Sequence, residues 1–399
     1  MFAQSLNMSY FINEYNRPTA TFADRLLVLE NVRDGEVTDA GEFYHDALKL
    51  LLQKIPDISS IEDWDATNAS ARIICHALGA ERYAAAAPEL WLVVENFDIS
   101  RSFHQGFVNQ GLVMQDALIA LGQIGAAEYV PHIAQRLTDL NTRETSDVET
   151  RRRVQRAVAG SISALEDLKD PAGYKPIFFA STTTSWYDSA IKNIASLALP
   201  NIVEDPADII IEIIRDTSVA PPVKYEAWRD MLSSRAPESS KARVAAAALS
   251  TGWSYPTSNQ TYQRFLREMR VSAIDTIRVM GVADDSVYAN LERSFNTSFV
   301  TPNPDYDEIR RTLNCLSAIA SDEAVQLLLK FLRELHTRRE SGPWGNRERQ
   351  VFSWVIPSLG ATKTQSEDVA LLLNTIQRSR DYTGVEQSWA GDALRELGR

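Results

Sequence analysis

A helical unit of roughly 40 residues recurs along most of this chain and limits the folds that it can adopt. From about Ala66 onward, an Ala-rich apolar helix ends in Leu-Gly or an equivalent, and a short turn leads into a second amphipathic helix. Successive units are 32 to 48 residues apart at one equivalent apolar position, which is held by Leu78, Leu121, Leu165, Leu197, Leu232, Met280, Ile319, Leu359 and Leu397. One helix pair cannot bury both of its apolar stripes alone, so the repeat predicts pairs that stack into a continuous core.

The unit at Met114–Leu140 shows the pattern most clearly. Apolar residues between Ala117 and Ile124 recur at three-to-four spacing, which is typical of one buried face of an α-helix. Gly122 and Gly125 are predicted to end this helix, because glycine tolerates the left-handed conformation that closes helices. A second amphipathic stripe follows the turn, so the unit is predicted to be a helix pair.

Three short segments carry a family resemblance: A-L-x-x-L-G at Ala117–Gly122, its degenerate form at Ala164–Leu168, and the Asp-Pro turn at Asp170-Pro171. With them the chain resembles the HEAT-repeat family over about residues 66–399. The resemblance implies an all-α fold, a right-handed superhelical α-α solenoid of about eight or nine HEAT-type helix pairs. Residues 1–65 are expected to form a divergent N-terminal helical cap or first repeat, continuous with the solenoid.

A narrower resemblance is to the secreted HEAT-repeat proteins of spirochaetes. It rests on the segments FFASTTTSWYDSAIKNIA, VAAAALSTGWSYPTSNQ and SAIASDEAVQLLLKFLREL. The chain also opens with Met1-Phe2-Ala3-Gln4, which looks like the end of a signal cleavage site preceded by an added Met. These features predict a bacterial protein that is exported to the periplasm, with a cytoplasmic location as the alternative.

The charge balance bears on the kind of partner. Asp and Glu number 53 and Lys and Arg 41, which leaves a net charge of −12. This balance argues against nucleic acid as the partner, because its binding depends on a dominant basic face. No apolar run approaches the roughly 18 residues of a membrane-spanning helix, so no transmembrane segment is predicted. The two cysteines, Cys75 and Cys315, are expected to be buried thiols several helix layers apart, too far for a disulfide.

Common catalytic and metal-binding motifs are absent from the sequence. None of the five histidines is followed by Glu, whereas repeated His-Glu pairs mark the HEAT-repeat di-iron hydroxylases. HExxH, GxSxG, GxGxxG and the P-loop are absent as well. The acidic clusters, among them Asp284-Asp285 and Asp305–Glu308, are predicted to cap helix starts. The sequence therefore predicts a chain that is not an enzyme and uses no cofactor or metal.

Aromatic residues concentrate in the longer links between the predicted helix pairs, which should all lie along one edge of the solenoid. Exposed aromatic and arginine side chains are typical binding hot spots. The predicted partner-binding residues are Trp186, Tyr187, Trp253, Tyr255, Arg338, Arg339, Trp344 and Arg347. The alternative is that each aromatic residue folds back and seals the adjacent layer.

The favoured function is a non-catalytic interaction or scaffold protein that binds another protein. The concave face formed by the second helices and the aromatic loop edge would make the contacts. One alternative is a HEAT-type enzyme similar to the lyases that attach bilin chromophores, which requires a pocket in the concave face. Another is a self-assembling structural subunit, which requires an uncovered apolar surface.

Overall fold

Helices make up almost all of the regular structure that the computed structural model describes. It describes residues 2–35, 37, 39–99, 103–104, 107–108, 110–182, 186–281 and 283–399, of which 2–7, 103–104 and 107–108 by their backbone alone. The chain divides into two compact units, Met1–Glu204 and Asp205–Arg399. The predicted boundary at residues 65 and 66 stays a prediction.

The first unit contains the helices α1 (Phe2–Tyr15), α2 (Phe22–Asp34), α3 (Gly41–Lys54), α4 (Ile61–Ala80), α5 (Ala87–Asn96), α6 (Leu112–Gln123), α7 (Val130–Asn141), α8 (Val148–Leu168), α9 (Tyr174–Thr182) and α10 (Ser189–Ile202). Its described residues also form 3₁₀ turns at Ile55–Asp57, Ala84–Ala86, Ala127–Tyr129 and Pro171–Gly173. Two short strands, β1 (Phe103–His104) and β2 (Phe107–Val108), pair in antiparallel fashion between α5 and α6. This small hairpin was not predicted.

The second unit contains the helices α11 (Ala207–Arg215), α12 (Pro221–Ser233), α13 (Glu238–Ser254), α14 (Gln260–Met280), α15 (Asp285–Val300), α16 (Tyr306–Ile319), α17 (Asp322–Glu340), α18 (Asn346–Ala361), α19 (Glu367–Arg378) and α20 (Gly384–Glu396). No helix among the described residues is long and apolar enough to cross a membrane.

The helices alternate between two roles along the sequence. We call the even-numbered helices from α2 onward first helices, and the odd-numbered helices from α3 onward second helices. Within each unit, first helices pack on the next first helix, as α4 does on α6 and α14 does on α16, and each second helix packs on the first helix that follows it. In the described part of the chain, the first unit has the pairs α2–α3, α4–α5, α6–α7 and α8–α9, and the second unit has α12–α13, α14–α15, α16–α17 and α18–α19, followed by α20. The prediction of an all-α solenoid with eight or nine pairs is confirmed.

Polar residues begin many of these helices. At the start of α2, Thr21 Oγ1 accepts a hydrogen bond from the Asp24 N–H at 3.1 Å, and the Asp24 carboxylate accepts one from the Thr21 N–H at 2.9 Å. Side chains that cap other helices are Ser60, Asp147, Asp188, Asn259, Asp284, Asp305, Ser321 and Thr383. Such caps satisfy backbone N–H groups that the helix itself leaves free. The predicted capping by Asp284 and Asp305 is confirmed.

A residue in the left-handed conformation follows many of the first helices. Glycine provides it after α6, α14 and α20, at Gly125, Gly281 and Gly398, with φ of 77°, 65° and 73°. Other residues provide it after α4, α8, α16 and α18, with φ between 50° and 53°: Arg82, Lys169, Ala320 and Lys363. Left-handed geometry costs a non-glycine residue about 1–2 kcal/mol. The turn geometry therefore repeats even where the glycine does not.

Gly122 has a different role from the one predicted. It lies inside α6, and Gly125 closes the turn. A Cβ atom at position 122 would stand 2.8 Å from the Cα atom of Ala164 on α8. The glycine is needed because α6 and α8 approach each other closely there, which the sequence of α6 alone does not reveal.

Gly122→Ala is expected to lower the free energy of unfolding of the first unit by about 1–2 kcal/mol. Forcing a methyl group into a packed contact costs about 1–3 kcal/mol, and the better helix propensity of alanine returns at most about 1 kcal/mol. Urea denaturation followed by circular dichroism measures the effect. Gly384→Ala on α20 is the control, since nothing lies within 4 Å of the added Cβ there. Equal stability of the two variants would contradict the close approach.

Two of the predicted repeat positions are wrong in register. Leu197 on α10 is 66% exposed and Leu232 on α12 is 37% exposed, whereas Leu78, Leu121 and Leu165 are fully buried. The neighbouring Leu199 and Met231 take the buried places. The register shifts because apolar residues stand next to each other here, Leu197-Ala198-Leu199 in α10 and Met231-Leu232 in α12, so the periodicity alone does not select the inward face.

Many polar contacts join one repeat to the next. The paired residues are 33 to 44 positions apart, which is close to the length of one repeat: Arg72 with Asp116, Trp228 with Ser272, Trp253 with Ser294, Arg270 with Glu308, Lys330 with Glu292, and Tyr288 with Ser321. The most buried ion pair among them is Arg270–Glu308, whose side chains are 12% and 1% exposed. The stacking of repeats therefore depends on specific side-chain pairs as well as on apolar packing.

Candidate functional site

Trp186 and Tyr187 precede α10 and differ in how deeply they are buried. Their rings meet edge to face, with centroids 4.3 Å apart. Tyr187 is buried, and its hydroxyl donates a hydrogen bond to Asn141 Oδ1 at 3.0 Å. Burial raises the pKa of Tyr187 above its usual value. Tyr187 therefore ties α7 to the start of α10, while Trp186 remains half-buried.

Trp253 lies within α13 and not in a loop, because the helix continues to Ser254. Its Nε1 donates a hydrogen bond to Ser294 Oγ at 2.8 Å. The guanidinium of Arg270 stacks on the same ring, 3.8 Å from its centroid, and Arg293 lies 5.4 Å away. Such cation–π contacts stabilise the packing of α13 against α14 and α15.

Tyr255 follows α13 and lies beside a buried lysine. Lys224 Nζ is 5.5 Å from the centre of the Tyr255 ring and donates to the carbonyl oxygens at the end of α11, including Ile213 at 3.3 Å. Burial lowers the pKa of Lys224 to about 8, although Asp216 opposes this shift. Lys224 therefore caps the negative end of α11.

Trp344 is 8% exposed and belongs to the core between α17 and α18. Its ring packs against Phe352 and Tyr382, with centroids 4.6 and 5.6 Å away. Arg339 covers this cluster and donates from Nε to the Asp381 carbonyl oxygen at 2.7 Å. The Trp344 Nε1 atom is buried and has no hydrogen-bond partner within the described protein.

Arg338 and Arg347 both approach the end of α15. Arg347 donates to the carbonyl oxygens of Phe299 and Pro302 at 3.1 and 3.2 Å. Arg338 is exposed, and its guanidinium lies 5.0 Å from the centre of the Phe299 ring. Arg347 thus fixes the loop after α15, while Arg338 leaves its charge open to solvent.

The prediction that these side chains stand exposed on loops is wrong for six of the eight. Tyr187 and Trp344 are buried. The other four lie on helices: Trp253, Arg338, Arg339 and Arg347. The helices extend further than expected because Gly252 is accommodated inside α13 and the polar end of α17 continues to Glu340. A role in binding a partner stays a prediction for all eight residues. The side chains of Phe103 and Phe107, two further loop aromatics, lie outside the described residues.

A groove of about 1110 Å³ runs between the second helices α15 and α17. Its lining residues are exposed or half-exposed and come from both helices: Asp285, Tyr288, Glu292, Asp322, Glu323, Gln326, Leu327, Lys330, Arg333, Glu334, Thr337 and Arg338. From Asp322 to Arg338 the groove follows α17 for about 24 Å, at 1.5 Å per residue. We call it the α15–α17 groove.

Charges are distributed unevenly along the α15–α17 groove. Asp285, Asp322 and Glu323 lie where α15 and α17 begin, and no basic lining residue is near them in sequence. In the middle, Lys330 pairs with Glu292, and this hydrogen bond raises the pKa of Lys330. The arginines of the lining are both at the far end. Five acidic and three basic residues give the lining a net charge of −2.

Sequence reasoning predicted only Arg338 among the lining residues as a binding residue. A pattern for the others exists in α17, where Glu323, Gln326, Lys330, Glu334 and Thr337 recur at three-to-four spacing and mark one polar helix face. What the sequence does not show is that α15 lies beside this face and turns it into a groove.

A smaller concavity of about 510 Å³ lies between the first helices α2 and α4 in the first unit. Arg72 and His76, two of its lining residues, reach Asp116 on α6, at 2.7 and 3.3 Å. The Asp116 carboxylate is 7% exposed and is therefore satisfied inside the repeat stack. These contacts hold α4 on α6, and they engage the polar groups of Arg72 and His76 within the protein.

Both cysteines are free and buried. Burial raises the pKa of Cys315 to about 12 and that of Cys75 higher still. A nucleophilic cysteine needs a lowered pKa and access to solvent, so neither thiol has the environment of a catalytic one. Among the side chains that the structure describes, no group of three or more His, Cys, Asp or Glu is placed to hold a metal ion.

Comparisons with known proteins add little to this geometry. No protein-family model matches the chain, and no curated protein matches it. Among the solved structures that match is human deoxyhypusine hydroxylase in complex with glycerol, with 14% sequence identity, 90% of this chain and 97% of that chain covered, and a TM-score of 0.24.

That match corrects one prediction. We expected a chain that is not an enzyme, and the matched structure is that of a hydroxylase, so the general exclusion of catalysis does not hold. A TM-score of 0.24 gives this chain no activity of its own. What its own helices establish is the fold: an all-α solenoid of HEAT-like helix pairs.

Proposed function

We propose that this protein binds a segment of a partner protein in the α15–α17 groove. The observation that carries the proposal is an open groove of about 1110 Å³ on two adjacent second helices, lined by charges that the protein leaves partly unused. Within the described residues, the carboxylates of Asp285, Asp322 and Glu323 accept no hydrogen bond and form no ion pair, and Glu334 only adds its negative charge near Lys330. Repeat proteins commonly bind partners on such a continuous helix face.

The proposal keeps the second helices as the binding face and includes Arg338, alone of the eight predicted residues, in the groove. A role of the other seven in binding stays a prediction. The open shape of the groove favours a binding surface over the enclosed pocket that a bilin-lyase-like enzyme would require. The proposal also retains three further expectations from the sequence: the likeness to secreted spirochaete HEAT-repeat proteins, a periplasmic location with a cytoplasmic one as the alternative, and a helical cap formed by residues 1–65.

A charged substitution in the middle of the groove tests this function. Leu327 is half-exposed there, and Leu327→Arg should reduce capture of a partner from lysate of the source organism at least tenfold. Truncating a central contact costs 1–2 kcal/mol or more, and about 1.4 kcal/mol is a factor of ten in affinity. Quantitative mass spectrometry of the retained proteins measures the loss.

Leu92→Arg is the matched control, since Leu92 is exposed on the second helix α5, outside the groove. It should retain the same partner as the wild type, and both variants should keep the helical circular dichroism spectrum. The proposal fails if the wild type retains no protein, or if Leu327→Arg retains the partner as well as the control does.

A further inference from the structure

We propose that the bound segment is a peptide stretch with Lys or Arg at one end, an apolar side chain in its middle and a carboxylate at the other end. This rests on the proposed function, because it names the chemistry of the occupant of the same groove. The groove length of about 24 Å matches roughly seven residues of extended chain at about 3.3 Å each. The occupant follows from three zones of the groove.

The first zone is the acidic end formed by Asp285, Asp322 and Glu323. These carboxylates stand in the first turns of α15 and α17, whose N-termini each contribute about half a positive charge. Three carboxylates against two half charges leave a net charge of about −2 at this end. A Lys or Arg cluster on the partner is the complement of that charge.

In the middle zone the charges of Glu292 and Lys330 are paired with each other, and the rest of the surface is partly apolar. Glu292 and Lys330 neutralise each other, and the Tyr288 hydroxyl is 2.7 Å from Ser321 Oγ, so its hydrogen bonding is used within the protein. What remains available is the ring of Tyr288 and the side chain of Leu327, both half-exposed. An apolar partner side chain gains by covering them, whereas a charge there would lose solvent without finding a free partner.

The far zone offers one available cation. Arg333 is held by Asp368 on α19, with Nη2 2.9 Å from the carboxylate. Arg338 has no carboxylate within ion-pair distance in the described chain, and its guanidinium is positioned over the Phe299 ring at 5.0 Å. A guanidinium held in this way suits a bidentate bond to a carboxylate. Glu334 adds one negative charge to this zone, so the net charge of the groove rises from about −2 at the acidic end to about zero here, where Arg338 is the unpaired cation of the described lining.

Selection from a displayed library of random twelve-residue peptides, on the immobilised full chain, tests this inference. We expect enriched peptides to carry Lys or Arg at one end and Asp or Glu at the other, separated by apolar residues. Neutralising the acidic end with Asp322→Asn and Glu323→Gln should weaken their binding at least tenfold, and higher salt should weaken binding to the wild type.

The matched control neutralises Glu62 and Asp63, the same two residue types in the first turn of α4. Glu62→Gln with Asp63→Asn should bind the selected peptides as the wild type does. If the peptides lose binding to Leu327→Arg but not to the neutralised groove variant, the charge inference fails and the proposed function stands. If neither groove variant changes binding, or if the library is not enriched at all, both fail.

Discussion

Glu308→Ala is expected to lower the free energy of unfolding of the second unit by about 3–5 kcal/mol, the range measured when one partner of a buried ion pair is removed. Glu308 is 1% exposed and receives two hydrogen bonds from Arg270, each 2.9 Å long. Without the carboxylate, the guanidinium of Arg270 remains buried and loses both of its hydrogen bonds to a carboxylate, while the Gly252 carbonyl oxygen, the Trp253 ring and the nearby charge of Asp305 remain. An uncompensated buried charge is costly because its lost hydration is not replaced.

Equilibrium urea denaturation, with a probe in the second unit, measures this loss. Glu268→Ala is the matched control, because Glu268 pairs with Arg264 on the exposed surface of the same helix α14. Exposed ion pairs contribute about 0–1 kcal/mol. A loss below about 1 kcal/mol for Glu308→Ala would show that the pair is not buried as described.

A compensated variant separates the charge effect from packing. Replacing both partners, with Arg270→Met and Glu308→Leu, removes the buried charges while keeping similar volume. We expect it to recover most of the stability lost in Glu308→Ala, because apolar replacement of a buried pair is often neutral or stabilising. No recovery would indicate that packing around Trp253, and not the charge, dominates at this position.

Trp344→Ala should cost about 3–5 kcal/mol, the usual range for removing a buried aromatic side chain, while Trp344→Phe should cost less than about 1 kcal/mol. The alanine variant loses the contacts with Phe352 and Tyr382 and leaves a cavity. The phenylalanine variant keeps an aromatic ring there and removes an N–H group that is buried without an acceptor. Such a group costs about 1–3 kcal/mol, which offsets the smaller ring.

Trp228→Phe is the control for the second substitution. Trp228 is fully buried as well, but its Nε1 donates to Ser272 Oγ at 3.1 Å. Removing this donor leaves the Ser272 hydroxyl without its bond, so Trp228→Phe should be the more destabilising of the two phenylalanine variants. Thermal unfolding curves of the two phenylalanine variants measure their relative stability. If Trp344→Phe lowers stability as much as Trp344→Ala does, the Trp344 N–H has a hydrogen-bond partner.

The repeat was predictable from sequence because its evidence is local. Apolar residues such as Leu118 and Leu121 recur every three or four positions, and Asp284 or Ser321 stand where helices begin. The turns were harder: Lys169 and Ala320 adopt the left-handed conformation without glycine. Tertiary packing imposes the left-handed conformation on residues whose own preference is against it. The residue type at these positions therefore does not predict the turn.

The candidate site was largely unpredictable for a related reason. Aromatic residues in polar segments suggested exposed binding residues, yet Trp344 is buried and Trp253 is engaged by Arg270 and Ser294. Both side chains find their partners on other elements of the fold, which a pattern along one helix cannot show. The α15–α17 groove depends in the same way on the packing of two helices from neighbouring repeats, with α16 between them in the sequence.

The polar contacts between neighbouring repeats also determine when each layer can form during synthesis. Arg270 meets Glu308 after 38 further residues, and Trp253 meets Ser294 after 41. A nascent chain therefore completes the bonds of a layer soon after the following repeat has left the ribosome, without waiting for a distant segment. Contacts of such short range favour rapid folding and shorten the time during which the apolar face of the newest layer is available for aggregation.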